Sequence, residues 1–291
     1  MASEQVPPDL TRYPPWPGPC PRWIRLASGA SETIEAGRPR TACGWLLGPR
    51  TEAARAFDPR LAGENWSQGA GRCREHVPML LYLTGSSCSG KTTLALAAAR
   101  RIPSLAVHDV DEPGAPPEAQ SEHWIQHALE CQRRGTDLLL AGQAPLGEIL
   151  AAPSAPLLEG IAVCLVDVAD HVRRERLAQR QPGRWEATAV EDFINWAAWH
   201  RGHAADPGYE PELLLAESRK GEAWHRWTAW SAEDPRWSTH VLDTTHDTVE
   251  RSVDRAEVWI TEQRQALRAG HLALSHGWDH VRPTGPGSAP K

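Results

Sequence analysis

Apolar positions along this chain gather into short, nearly unbroken runs, and longer segments with helical spacing separate them. MLLYLT (79–84), SLAVHD (104–109), DLLLAG (137–142), IAVCLVDV (161–168) and THVLDT (239–244) have the length and composition of strands. TTLALAAARR follows the first run as a strong helix former and stops before Pro103. A second helix is expected from about 118 to 134, ending before Gly135, and a short one after Pro145. DHVRRERLAQR then reads as an arginine-rich helix, QPGRW (181–185) as a break, and about 187–201 as an amphipathic helix. A last helix is expected over about 247–268. Strands that are apolar on both faces, each followed by a helix, predict a parallel sheet covered on both sides. The expected fold class is therefore three-layer α/β with a five-stranded parallel sheet.

The pattern is absent at both ends. Residues 1–77 are rich in Pro, Gly, Arg and Ala without a sustained period, which predicts a low-complexity, disordered extension. The domain is expected over 78–270 and a flexible tail over 271–291. Met79 stands just ahead of the first strand and is a candidate natural start, with the first 78 residues a misassigned extension. Trp224, Trp227, Trp230 and Trp237 have near-helical spacing and read as a buried flank.

Between the first strand and its helix stands GSSCSGKTT (85–93), which fits the phosphate-binding pattern G-x-x-x-x-G-K-[ST]. Gly85 and Gly90 permit backbone angles and close approaches that a Cβ would block. The backbone N–H groups of Ser86, Ser87, Cys88, Ser89, Gly90, Lys91, Thr92 and Thr93 would converge on a phosphate at a helix N-terminus. Lys91 is one of three lysines in a chain that otherwise uses arginine, and it occupies the one position where this loop requires lysine. Thr92 would offer its hydroxyl to Mg²⁺. Nucleoside triphosphate binding follows from this motif.

Net charge narrows the partners. At −6, with no broad basic stripe, the chain does not read as a nucleic-acid binder. No apolar run reaches membrane-spanning length, so no membrane partner is expected. Six scattered cysteines without a C-x-x-C pair read as free thiols of a reducing, cytoplasmic compartment.

Five strands, a P-loop on the first and an arginine-rich helix pair after the fourth resemble the nucleoside, nucleotide and small-molecule kinases. These include the adenylate, shikimate and gluconate kinases and the antibiotic phosphotransferases related to them. The resemblance covers about 79–268 and implies ATP, Mg²⁺ and a small-molecule acceptor. It also implies a short arginine-rich lid over about 173–201. ERLAQR supplies the family's R-x-x-x-R spacing, so the resemblance assigns Arg176 to the adenine and Arg180 to the transferring phosphate. Arg173, Arg174 and Arg184 stand in reserve. At the end of the second strand, HDVDE places Asp109 and Asp111 two residues apart, on one face if the strand continues. Asp109, with Asp111 second, is the candidate base or Mg²⁺-shell residue.

Other positions carry weaker signals. IAVCLVD ends in Asp167 with the form of a Walker B strand, which would give the metal to Asp167 instead. A P-loop ATPase or an ATP-binding regulatory protein is the alternative function. Gln143 lies at a strand's carboxyl end, where ligands bind. Asp243, Thr244 and Thr245 are adenine-side candidates by position, and Asp247 is a candidate helix cap. His200 and Arg201 are candidates for the acceptor pocket. His123 and His127 are one helical turn apart but have no third partner fixed by spacing, so no zinc site is expected.

Overall fold

The computed structural model describes residues 76–112, 120–180, 185–216 and 221–280. The expected N-terminal extension, but for its last two residues, lies outside the described residues, as does Arg184. Five parallel strands form one sheet: β1 (Leu80–Thr84), β2 (Leu105–Asp109), β3 (Asp137–Ala141), β4 (Ile161–Asp167) and β5 (Thr239–Asp243). Their order is β2-β3-β1-β4-β5. The central strand pairs Leu80 with Leu138 on one side and with Ile161 on the other.

Alternation along the central strands divides the core in two. Leu80, Tyr82, Leu138, Leu140, Ile161 and Val163 point to one face. That face is covered by α2 (Gln120–Arg133), α3 (Leu146–Ala151) and α5 (Ala187–Ala205), through Trp124, Ile125, Ile149, Trp196 and Trp199. Met79, Leu81, Leu83, Leu139, Ala162 and Cys164 point to the other. There α1 (Lys91–Ala99) and α7 (Val249–Arg268) supply Leu94, Ala98, Val253, Trp259 and Ile260. Each fully buried Leu, Ile or Val contributes about 1.5–3 kcal/mol. Between the faces, α4 (Asp170–Arg180) follows β4, and α6 (Glu212–Leu215) follows α5. This is the expected three-layer α/β fold with a five-stranded parallel sheet.

The strand order positions the site. The connection leaving β1 runs past β3 to β2, while the one leaving neighbouring β4 runs the other way to β5, so the connections diverge there. That divergence opens a crevice above β1, the place where ligands bind in open parallel sheets. The opposite end of the sheet is pinned by Asp137, which is fully buried. It accepts hydrogen bonds from the Met79 N–H at 2.7 Å and from Arg264 Nε at 2.7 Å. One carboxylate thus ties β3, β1 and α7 together.

One expectation is corrected. The tail does not begin at 271: Leu274 and Trp278 are buried, and Ile161 N donates to the Leu274 carbonyl at 3.0 Å. Leu274 and Trp278 dock it. The tryptophan run is buried at Trp227 and Trp237, as expected of a flank. Only Trp224–Arg226 forms a 3-10 turn. Asp234, clamped by Arg236 Nε at 2.9 Å, turns the chain just before Pro235 could enter a helix.

The tryptophans build a stack on the α5 face. Trp196 and Trp199 lie parallel with centroids 4.7 Å apart, and His203 stacks on Trp199 at 4.6 Å. Trp227 fills the space over Gly147, where an added Cβ would stand 2.6 Å from the indole ring. Gly147→Ala is therefore expected to destabilise the domain by about 1–3 kcal/mol through overpacking, despite alanine's better helix propensity. Urea unfolding at pH 7 measures this. Among the described residues no helix is long and apolar enough to cross a membrane.

Candidate functional site

The P-loop leaves β1 at the centre of the sheet and turns into α1. Gly85 has φ +136°, and a Cβ there would meet the Val166 carbonyl at 2.4 Å, so only glycine fits. Gly90 caps α1 in the left-handed region at φ 100°, and no side chain bonds to the helix N-terminus. The first N–H groups of α1 are thereby left for another acceptor. Ser86 Oγ donates to the Phe193 carbonyl at 2.9 Å and ties the loop to α5. Ser89 Oγ is buried without a hydrogen-bond partner. An uncapped helix start, an orphaned hydroxyl and two glycines with positive φ fit a phosphate cradle.

Lys91 is buried in this loop, and its Nζ donates to the Ser86 carbonyl at 3.0 Å. Burial, assisted by the Arg173 charge, lowers its pKa to about 8. Thr92 comes next and is exposed, as is Thr93. The Thr92 hydroxyl donates to Asp109 Oδ2 at 2.6 Å. The structure therefore brings together two residues chosen from separate motifs, 17 positions apart.

Asp111 reaches the site differently from the expectation. β2 stops at Asp109, so the two carboxylates do not share a strand face. The chain turns instead, with the Asp111 N–H donating to Asp109 Oδ1 at 3.1 Å. Aspartate favours this local bond over continuing a strand. Burial and the neighbouring Asp109 raise the Asp111 pKa to about 6, while Lys91 and Arg180 oppose them. Glu112 closes the turn through Oε1, which accepts the Asp109 N–H at 2.9 Å.

The arginines of α4 sort into distinct jobs. Arg173 is fully buried: Nη1 donates to the Ser87 carbonyl at 2.5 Å and Nη2 to Asp167 Oδ1 at 2.7 Å. It anchors the base of the helix to the P-loop. Arg176 Nη1 bonds the Cys88 carbonyl at 3.3 Å, and its Nη2 bonds the Thr244 carbonyl at 3.2 Å. Arg180 lies further along the helix, with Nη1 at 4.0 Å from Cys88 Sγ. Arg174 turns away and forms a bidentate pair with Glu191.

Other candidates find structural roles. Asp167 is engaged by Arg173 and by Arg201 Nη1 at 3.1 Å, which removes it from the metal role of a Walker B acid. Arg201 also bonds Asp170 at 3.0 Å, so it braces α4 against α5. His200 is buried, and burial together with Lys91 lowers its pKa. Thr244 Oγ1 donates to the Ser89 carbonyl at 3.1 Å, which places the β5 loop against the P-loop. Asp243 and Thr245 form a local turn, with the Thr245 N–H donating to Asp243 at 2.8 Å. Thr248, not Asp247, caps α7 by accepting the Arg251 N–H at 3.2 Å, and Asp247 pairs with Arg251 and Arg255. Gln143 stands just past the carboxyl end of β3, half-buried.

No family model matches the chain, and no curated protein matches it. Solved structures with a similar layout include a sugar kinase from Janibacter sp. HTCC2649. It has a TM-score of 0.38 and 15% identity, over 65% of this chain and 98% of that one. Thymidylate kinase from Candida albicans has a TM-score of 0.37 and 8% identity, over 66% of this chain and 93% of that one. The fold assignment rests on the sheet itself.

Proposed function

We propose that this chain is an ATP- and Mg²⁺-dependent phosphotransferase acting on a hydroxyl group of a small-molecule acceptor. The observation that carries this reading is the 2.6 Å contact between Thr92 and Asp109 at the mouth of the P-loop, with Lys91 beside them. One hydroxyl and one carboxylate at one point are the protein's usual share of a Mg²⁺ shell. When bound, Mg²⁺-ATP supplies the phosphoryl group and a dication that offsets its charge. Lys91 holds the outer phosphates as a point charge, and the uncapped start of α1 adds N–H donors. Arg176, leaning on the β5 loop, covers the base side of the nucleotide. Arg180, within electrostatic reach of Asp111, faces the transfer side. Asp109 or Asp111 orients the acceptor hydroxyl and takes its proton. Catalysis then consists of positioning and electrostatics in a partly desolvated site.

The test is ADP release from Mg²⁺-ATP in the presence of pooled nucleosides, nucleotides, sugars, sugar acids and aminoglycosides. Release that depends on one pool, and vanishes in Lys91→Ala, supports a kinase. Release without any pool identifies an ATPase. Silence with ATP still bound favours a regulatory nucleotide-binding protein or an acceptor outside these pools.

A further inference from the structure

Three consecutive P-loop carbonyls, of Ser87, Cys88 and Ser89, turn toward α4 and the loop after β5, and each meets a donor there. The Ser87 carbonyl accepts from Arg173 Nη1 at 2.5 Å, and the Cys88 carbonyl from Arg176 Nη1 at 3.3 Å. The Ser89 carbonyl accepts from Thr244 Oγ1 at 3.1 Å and from Arg176 Nη1 at 3.4 Å. None of these donors belongs to the loop's own motif. Arg173 and Arg176 stand on α4, and Thr244 is the first residue past β5.

A carbonyl held on one side fixes the N–H that follows it. No peptide bond among the described residues is cis, and in a trans peptide the N–H points opposite to the C=O. The N–H groups of Cys88, Ser89 and Gly90 are thereby turned away from α4 and the β5 loop. The backbone angles agree with this. Cys88 has φ 61° and Gly90 φ 100°, so left-handed residues stand on both sides of Ser89. That alternation gathers successive N–H groups into an anion-binding nest. Left-handed backbone is unfavourable for a residue with a Cβ, and Cys88 carries one. The carbonyls on either side of its Cα are the two that the arginines hold. Arg173 is itself fixed: it is fully buried, and its Nη2 donates to Asp167 Oδ1 at 2.7 Å.

We infer that Arg173 and Thr244 are positioning residues, which set the P-loop peptides so that their N–H groups serve a di- or triphosphate. They act on the phosphates through the backbone, by holding the Ser87 and Ser89 carbonyls away from them. The inference rests on reading GSSCSGKTT as a phosphate cradle and does not depend on phosphotransfer. It gives α4 a task besides carrying Arg176 and Arg180, since the base of that helix shapes the loop beside it.

The experiment is calorimetric titration of inorganic pyrophosphate, and separately of ATP, into the full-length protein without Mg²⁺. Thr244→Val keeps the side-chain shape and removes the donor, and is expected to weaken both ligands about fivefold, the worth of one hydrogen bond. Thr244→Ser restores the hydroxyl and is expected to recover wild-type affinity to within about twofold. Arg173→Lys keeps the charge, but one ammonium cannot span the Ser87 carbonyl and Asp167, so a loss of about tenfold or more is expected. Asp167 retains Arg201 at 3.1 Å in that variant. Because none of these substitutions changes the net charge, a loss reports peptide positioning and not a weaker field. Far-UV circular dichroism checks each fold, and if Arg173→Lys does not fold, the Thr244 pair decides. Wild-type affinity in Thr244→Val overturns the inference, as does equal weakening in Thr244→Ser and Thr244→Val. Failure of the wild type to bind either ligand overturns the phosphate-cradle reading and the inference with it.

Discussion

Lys91→Met is expected to abolish turnover while leaving the nucleotide-free protein more stable. The lysine is buried with Arg173 nearby, and its pKa is lowered to about 8. A depressed lysine pKa means that the charged form is penalised in the folded state. That penalty is absent above the unfolded pKa of about 10.5 and fully present below about 8, hence at pH 7. It amounts to up to about 3 kcal/mol. Methionine has similar length and removes the charge, at the loss of the hydrogen bond to the Ser86 carbonyl, worth about 1 kcal/mol. A net gain of about 1–2 kcal/mol in urea unfolding is expected. Turnover should fall by a factor of about 10²–10³ or more, since in the proposed phosphotransfer the lost charge would face the transferring group. Opposite signs in stability and activity mark a residue kept for its ligand. A loss of stability would instead make Lys91 a tether of the loop.

Acid is expected to destabilise the domain steeply, because α5 buries two neutral histidines. His203 is lowered to about 3 by burial. His200 is also lowered, first by burial and then by Lys91, with His203, Arg173 and Arg201 adding to it. In the unfolded chain both titrate near 6.5. Below that value the unfolded state takes up protons that the folded state refuses. The stabilising contribution is therefore complete above about 6.5 and is lost as pH falls towards the folded values. An imidazole that stays neutral removes about 1.4 kcal/mol per pH unit, so His203 removes about 2 kcal/mol between pH 6.5 and 5, and His200 acts in the same direction. His203→Phe keeps a ring stacked on Trp199 and should remove the His203 share of that slope. Urea unfolding at pH 7, 6 and 5 measures it. A slope unchanged in His203→Phe would place the acid sensitivity elsewhere.

Much of the architecture was legible in the sequence because it depends on local pattern. A run such as DLLLA can be buried on both faces only in a covered parallel sheet, and the glycines of the P-loop announce their backbone angles. The same motif names the residues proposed for the nucleotide side. What pattern could not supply was partnership across the fold. Asp167 has the form of a metal-binding acid, yet two arginines, one of them on a different helix, had already claimed it. Arg173 stood in reserve as a lid residue and proved to be the buried anchor of α4. Asp111 arrived by a turn where a strand face was expected, because Asp109 could bond the next backbone N–H but one. The tail past 270 docked through Leu274 and Trp278, two residues too few to register as a pattern.

The central claim is that Thr92 and Asp109 together complete a Mg²⁺-ATP site on the P-loop. Calorimetric titration of ATP, with and without Mg²⁺, into wild type, Thr92→Ala and Asp109→Asn tests it most directly. Mg²⁺ should tighten ATP binding to wild type, and that tightening should be lost in both variants while Mg²⁺-free binding persists. ATP binding that is indifferent to Mg²⁺ in wild type, or equally Mg²⁺-dependent in both variants, would contradict the account.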